Sequence, residues 1–143
     1  MNLIYSTLTY IVRSQSALNP RSKALEAAQA AIEKKATDVI VLEVRELTTI
    51  ADYMVLCSTG SHRQVQAVME HINSKLKNKK TRPLSIEGTE SSTWILMDYG
   101  DIMVHIFTED TRQHYALDRL WGDAPGQMIE DTSATGTVDQ SAR

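Results

Sequence analysis

Cysteine and long apolar runs are scarce in this sequence, and each scarcity excludes a class of protein. The single cysteine among 143 residues, Cys57, has no partner for an intramolecular disulfide and favours a reducing compartment. No apolar run reaches the length of a membrane span, so no membrane segment is predicted. Apolar residues make up 42% of the chain and charged residues 23%, which predicts one globular domain with a hydrophobic core.

Basic residues are absent between Arg82 and Arg112, although the chain contains 15 lysines and arginines in total. The same stretch contains six acidic residues, Glu87, Glu90, Asp98, Asp101, Glu109 and Asp110. The net charge of −3 argues against a general nucleic-acid binder, which normally shows a basic face. The acidic stretch is either a solvated face or a surface complementary to a basic partner.

The residue spacings that support metal binding are also missing. The four histidines, at positions 62, 71, 105 and 114, form no zinc-ligand spacing with one another or with Cys57. Asp98 and Asp101 lie three positions apart across a predicted turn, so their carboxylates need not converge on one ion. No metal, cofactor or catalytic residue is therefore predicted.

Gly60-Ser61 is a weak candidate for an anion site, because it precedes a predicted helix and Arg63 is close by. Ser61 and Gln64 have the spacing of a capping box, and we favour this structural explanation. Ser61 also has no general base at a recognisable spacing, so nucleophilic catalysis is not supported.

Composition divides the chain into three parts. Residues 1–22 form an N-terminal extension with no acidic residue and few arginines, which fits neither a secretory signal nor a convincing transit peptide. Residues 23–122 form the folded domain, and the polar residues 123–143 are expected to be a disordered tail. We expect a protein of the bacterial cytoplasm, with an organelle as the alternative.

Hydrophobic periodicity predicts three helices and five strands. The helices cover residues 23–35 with Ser22 as the cap, a segment starting after Ser61, and about 110–121. The strands cover residues 38–44, 51–58 and 84–88 and the two arms of a hairpin between 94 and 107. The order α-β-β-α-β-β-β-α predicts an α/β protein of the two-layer α+β type, with a mixed five-stranded sheet.

The predicted hairpin turns at Gly100-Asp101, which suits a two-residue type II′ loop. That register places six mainly apolar side chains on one face, at positions 95, 97, 99, 102, 104 and 106. The other face is mixed and carries Trp94, Leu96, Asp98 and His105. Such a face suits an interface, where tryptophan is a frequent hot spot. The alternative is that a helix covers this face and Trp94 belongs to the core.

Three stretches, ADYMVLCSTGSHRQV, WILMDYGDIMVHIF and R-x-x-Y-A-L-D-R-L-W-G-D-A-P, resemble the Iojap/RsfS family of ribosomal silencing factors. The resemblance covers about residues 23–125. It implies a nucleotidyltransferase-like fold with helices mainly on one face of the sheet. The acidic pair that binds magnesium in true nucleotidyltransferases is absent, because HRQVQAVMEHIN after Ser61 contains only Glu70. The resemblance therefore implies a non-enzymatic member.

The same resemblance implies a function and a partner. Family members bind the large ribosomal subunit through its conserved protein number fourteen, block subunit joining and repress translation, often as homodimers. No sequence-specific nucleic-acid contact is implied. The alternatives are a nucleotide-binding or nucleotidyltransferase-like enzyme, or a scaffold for another basic protein.

The family motifs also assign candidate residues. The partner-binding set is Trp94, Leu96, Asp98, Asp101 and His105. Further candidates for a partner or dimer contact are Arg63, Tyr99, Tyr115 and Trp121. Trp94 is the expected anchor and Asp101 a charge at the rim of the interface.

Overall fold

The computed structural model describes residues 18–130, so most of the predicted N-terminal extension and the end of the predicted tail lie outside the described residues. The helices, numbered in chain order, are α1 (Pro20–Glu33), α2 (His62–Lys77), α3 (Glu109–Tyr115) and α4 (Leu117–Leu120). The strands are β1 (Thr37–Glu43), β2 (Tyr53–Thr59), β3 (Ser85–Glu87), β4 (Trp94–Asp98), β5 (Ile102–Thr108) and β6 (Gly126–Ile129). None of the helices between residues 18 and 130 is long and apolar enough to cross a membrane.

The strands form one mixed sheet in the order β3-β4-β5-β2-β1-β6. β2 and β5 are parallel, and the other neighbouring pairs are antiparallel. The predicted mixed two-layer architecture is confirmed, but the predicted number of five strands is wrong. The sixth strand, β6, lies in the stretch assigned to the tail. Its four residues include a glycine and carry little strand signal, and it is ordered by pairing with the distant β1.

α1 begins earlier than predicted. Asn19 caps the helix in place of Ser22, because its Oδ1 accepts a hydrogen bond from the backbone N–H of Ser22 at 2.8 Å. Pro20 follows in the first turn, where its missing N–H leaves no helix bond unmade. Five alanines of α1 are fully buried, and their small size lets the helix lie close to the sheet and to α2.

α2 has the predicted cap. Ser61 Oγ accepts from the N–H of Gln64 at 3.1 Å, and Gln64 Oε1 accepts from the N–H of Gly60 at 2.9 Å. The amide nitrogen of Gln64 also donates to the carbonyls of Lys34 and Lys35, at 3.1 and 3.0 Å. Gln64 thus joins the start of α2 to the end of α1, which fixes the angle between the two helices and the sheet.

The hairpin of β4 and β5 has the predicted register, with Trp94 opposite Phe107 and Leu96 opposite His105. Gly100 has a φ of +89°, a conformation that glycine adopts without strain. The six side chains at positions 95, 97, 99, 102, 104 and 106 all lie in the main core with those of α1 and α2. Alternation then places Trp94 on the opposite face of the sheet.

The C-terminal helix predicted from residue 110 to 121 is divided in two. Ala116 has φ 52° and ψ 44°, which is left-handed, so it ends α3 and precedes α4. The interruption lets the chain turn across the second sheet face and continue into β6. The prediction of a continuous helix relied on the helical spacing of Leu117, Leu120 and Trp121, and all three residues lie after the break, so their spacing does not reveal it.

Arg112 stabilises this turn. Its Nη1 donates to the carbonyl oxygen of Asp38 at 2.6 Å and to Ser58 Oγ at 2.9 Å. Its Nε and Nη2 donate to the two carboxylate oxygens of Asp118 at 3.2 and 2.7 Å. This paired contact lowers the pKa of Asp118. One side chain therefore joins α3 and α4 to β1 and β2.

Candidate partner-binding surface

The second face of the sheet is covered only in part. Its buried cluster contains Leu42, Val44, Met54, Leu56 and Phe107, and the side chains of Leu117 and Trp121 pack against it from the C-terminal turn. The coverage thins out towards β4, where Trp94 is half-buried. Both alternatives for Trp94 therefore hold in part, since the indole contacts this cluster and also reaches solvent.

Trp94 is held rigidly by its neighbours. Its Nε1 donates to Nδ1 of His105 at 3.1 Å, and its ring lies 5.1 Å from that of Phe107, centroid to centroid. Tyr115, at the end of α3, places its ring 4.6 Å from the indole and remains 53% exposed. A half-exposed tryptophan with a fixed orientation loses little conformational entropy on binding a partner.

The buried side chain of His105 holds the indole of Trp94 in this orientation. The side chain is only 5% exposed, and its ring is stacked with that of Phe107 at an interplanar angle of 8°. Burial lowers its pKa to about 4, so the imidazole is neutral near pH 7. Because Nδ1 accepts from Trp94, the single proton lies on Nε2, a buried atom with no hydrogen-bond partner among the described residues. His105 thus orients Trp94 rather than presenting a surface contact.

Leu96, Asp98 and Met103 extend the exposed area around Trp94, and all three are half-buried. β3 adds its edge, where Glu87 pairs with Leu96 and is exposed. We call Trp94, Leu96, Asp98, Met103, Tyr115 and Glu87 the β4 surface. Met103 is opposite Asp98 in the predicted hairpin register, so the alternation of strand side chains already predicts that Met103 lies on this face. Glu87 could be assigned to this surface only from the pairing of β3 with β4, which no local sequence pattern reveals.

Three candidate residues lie elsewhere. Asp101 forms an ion pair with Lys23 of α1, with Nζ at 2.9 and 3.0 Å from its two carboxylate oxygens, so it holds the hairpin turn to the helical layer. Tyr99 is 6% exposed and packs in the main core, where burial raises the pKa of its phenol. Arg63 is exposed on α2, which packs on the opposite side of the sheet from Trp94. Tyr99 therefore lies on the core face, as the hairpin register predicts, and the roles of Asp101, Tyr99 and Arg63 in binding a partner stay predictions.

The Gly60-Ser61 turn is explained by its capping bonds, in which the Ser61 hydroxyl and the Gln64 amide both take part. Glu70 points to solvent from α2. Between residues 18 and 130, no group of three histidine, cysteine or carboxylate side chains is placed to hold a metal ion. The geometry of the residues around Trp94 therefore offers a binding surface.

Comparison with known proteins assigns the chain to a family. The family model described as "Ribosomal silencing factor during starvation" matches residues 17–143. The ribosomal silencing factor RsfS of Bacillus subtilis is 36% identical over 108 residues, which cover 76% of this chain and 92% of that protein. The mouse protein "Mitochondrial assembly of ribosomal large subunit protein 1" is 29% identical over 92 residues, 62% of this chain and 40% of that one.

The fold agrees with the same assignment. A crystal structure of a Chromobacterium violaceum protein matches with a TM-score of 0.72 and 28% identity, covering 84% of this chain and all of that chain. The match therefore covers most of the sheet and helices described above. With the family model, the Bacillus relative and this fold in agreement, the chain belongs to the RsfS family of ribosomal silencing factors.

Proposed function

We propose that this protein binds the large ribosomal subunit through conserved ribosomal protein number fourteen, blocks joining of the small subunit and thereby represses translation. The observation that carries the proposal is the β4 surface, with its half-exposed Trp94 fixed by His105. Family membership supports a role at the ribosome, and the name of the mouse relative connects that protein with the large subunit.

The chemistry of the β4 surface suits a basic protein partner. Its centre is apolar, with Trp94, Leu96 and Met103 side by side, and its acidic members are Asp98 and Glu87. No lysine or arginine occurs between residues 82 and 112, so the β3–β5 segment adds no positive charge to it. An apolar centre with charged groups of one sign around it supports both affinity and fast association with a partner of opposite charge.

The proposed action requires no chemical step. A folded protein bound on the face of the large subunit that receives the small subunit excludes the latter by volume alone. Repression then depends on how long the protein stays bound, which the rigid aromatic contact favours. This agrees with the position of His105, which is neutral and buried behind Trp94.

We further propose a homodimer, as the family resemblance implies. β6 is an edge strand, and its residues Gly126, Gln127 and Met128 are exposed, so it offers unpaired backbone groups to a second copy. Sedimentation equilibrium tests this independently of ribosome binding. A single species with the monomer mass at every concentration would refute the dimer.

We also propose that the protein acts in the bacterial cytoplasm. The similarity to bacterial RsfS supports this, and so does the lone cysteine, which burial makes unreactive by raising the pKa of the Cys57 thiol to about 12. The mitochondrial name of the mouse relative keeps an organelle as the alternative. Cell fractionation with an antibody to the chain distinguishes the two compartments.

Co-sedimentation with purified large subunits tests the main proposal. We expect the wild-type protein to pellet with the subunit and Trp94→Ala to lose about 2 kcal/mol or more of binding free energy, roughly 30-fold in affinity. Trp121→Ala is the matched control, because it removes the same side chain from the same packed face but outside the β4 surface. Binding by neither wild type nor control at low salt would refute the proposal.

A further inference from the structure

A strongly basic segment lies at the end of α2 and has no role in the β4 surface. Residues 75–82, KLKNKKTR, contain five lysines and arginines, and no acidic residue occurs between Glu70 and Glu87. We call residues 75–82 the basic segment. Its charge contrasts with the acidic stretch that follows and with the net charge of −3 for the whole chain.

Ion pairs account for only part of this charge. Lys75 Nζ lies 2.9 Å from Glu33 Oε2, and Lys79 Nζ lies 3.3 Å from Glu26 Oε2, so both lysines join α2 to α1. Lys77, Lys80 and Arg82 are exposed and form no ion pair with an acidic side chain of residues 18–130. Three positive charges therefore face solvent together.

The position at the C-terminal end of α2 explains a positive charge at only one of these three residues. A lysine in the last turn is favoured by the helix dipole, which accounts for Lys77. Lys80 and Arg82 lie beyond the helix. Lys80 has a φ of 62°, in the left-handed region where glycine is the unstrained residue. The hydrogen bond from the Thr81 N–H to the Leu76 carbonyl, at 2.9 Å, fixes this turn, so the charges are held on an ordered backbone.

The chain runs from the basic segment to the Asp98 end of β4 within a few residues. The basic segment leads directly into β3, and the N–H of Leu84 donates to the carbonyl oxygen of Asp98 at 2.6 Å. Arg82 is therefore two residues from a backbone contact with β4. A partner that extends from the β4 surface past the Asp98 end of β4 would therefore approach the basic segment, beginning at Arg82.

We infer that Lys77, Lys80 and Arg82 bind phosphate groups of ribosomal RNA next to the protein that the β4 surface contacts. The inference rests on the proposed function, because ribosomal proteins are set in RNA and a protein docked on one comes close to phosphates. Lysine and arginine bind phosphates without reading sequence, so this contact supplies affinity and orientation. The acidic β4 surface contacts the basic protein, and the basic segment contacts the RNA around it.

The test compares two double variants in titrations against purified large subunits at several salt concentrations. Lys80→Gln with Arg82→Gln removes two charges from the basic segment. Lys34→Gln with Arg63→Gln removes the same two residue types from the opposite end of the helical layer, where both are exposed. The first pair should weaken binding at least about tenfold at about 0.1 M salt and reduce the slope of log affinity against log salt by about 1.4–1.8. The control pair should leave both quantities close to those of the wild type.

A second titration, against isolated ribosomal protein number fourteen, separates RNA from protein contacts. There the basic-segment pair should change affinity by less than about twofold, because no phosphate is present. Subunit binding that depends on Trp94 but not on Lys80 and Arg82 would overturn this inference and leave the proposed function intact. Failure of the wild type to bind subunits would overturn both. An effect confined to vesicles containing phosphatidylglycerol would assign the segment to membranes and also overturn it.

Discussion

Acidification should destabilise this protein through His105 before its carboxylates protonate. The imidazole is buried under Trp94, its Nδ1 accepts a hydrogen bond from the indole N–H, and no acidic side chain between residues 18 and 130 is hydrogen-bonded to it. Burial lowers its pKa from an ordinary value of 6.5 to about 4 in the folded state. The unfolded chain exposes the same imidazole to water and keeps the ordinary value.

The sign and size of the effect follow from these two values. As pH falls, the unfolded chain binds a proton first, so His105 favours unfolding between its unfolded and folded pKa values. Its contribution to stability is complete above about pH 6.5 and is lost on going down to about pH 4. The full loss is about 3 kcal/mol, of which about 2 kcal/mol is reached by about pH 5. The carboxylates of Glu33 and Asp118, whose pKa values are lowered from 4.5 and 3.8, lose their stabilising pairs only at lower pH.

Urea unfolding followed by tryptophan fluorescence between about pH 7.5 and 5 measures this loss directly. His105→Asn is the matched control, because asparagine places an acceptor oxygen near the position of Nδ1 but does not titrate in this range. We expect the wild type to lose about 2 kcal/mol more than the variant across this interval. Equal pH dependence in the two proteins would show that His105 is solvated in the folded state, which would refute the buried support for Trp94.

Two further predictions concern the positioning of the β4 surface. A Cβ at Gly88 would lie 2.1 Å from the carbonyl oxygen of Trp94, and Gly88 has a φ of +89°. Gly88→Ala should therefore lower the free energy of unfolding, measured in urea, by about 3 kcal/mol or more. A decrease of less than about 1 kcal/mol would contradict this close approach. Arg112→Lys should cost about 2 kcal/mol, because an ammonium cannot make the paired contact with Asp118 while also bonding the Asp38 carbonyl and Ser58. Unchanged thermal stability of Arg112→Lys would show that the turn after α3 does not depend on this guanidinium.

The hairpin shows how much local pattern can determine. Strand side chains alternate, and a two-residue loop at Gly100-Asp101 leaves one register, so the pairs Trp94–Phe107 and Leu96–His105 follow from the sequence. The cap of α2 is equally local, because Ser61 and Gln64 are three residues apart. In both cases the interacting groups are close in sequence, and few alternatives compete.

The candidate surface was predictable only where it follows the hairpin. Trp94, Leu96 and Asp98 share a face because they alternate along β4. Asp101 could not be placed from the sequence, because its partner Lys23 is 78 positions away and lies on the helical side. Its acidic character suggested an interface charge, whereas the ion pair holds α1 to the hairpin.

The sequence by itself determined the family, the element types and the two faces of the hairpin, because these depend on periodicity and on motifs of neighbouring residues. Only the tertiary structure decided how far Trp94 is exposed. That exposure depends on the break at Ala116, on the anchoring of α3 by Arg112 and on β6. The residues of β6 pair with residues of β1 that lie 84 to 90 positions earlier in the chain, from the pair Leu42–Gly126 to the pair Val39–Ile129. Long-range contacts of this kind cost chain entropy and are repaid only when the whole sheet forms, so no local pattern encodes them.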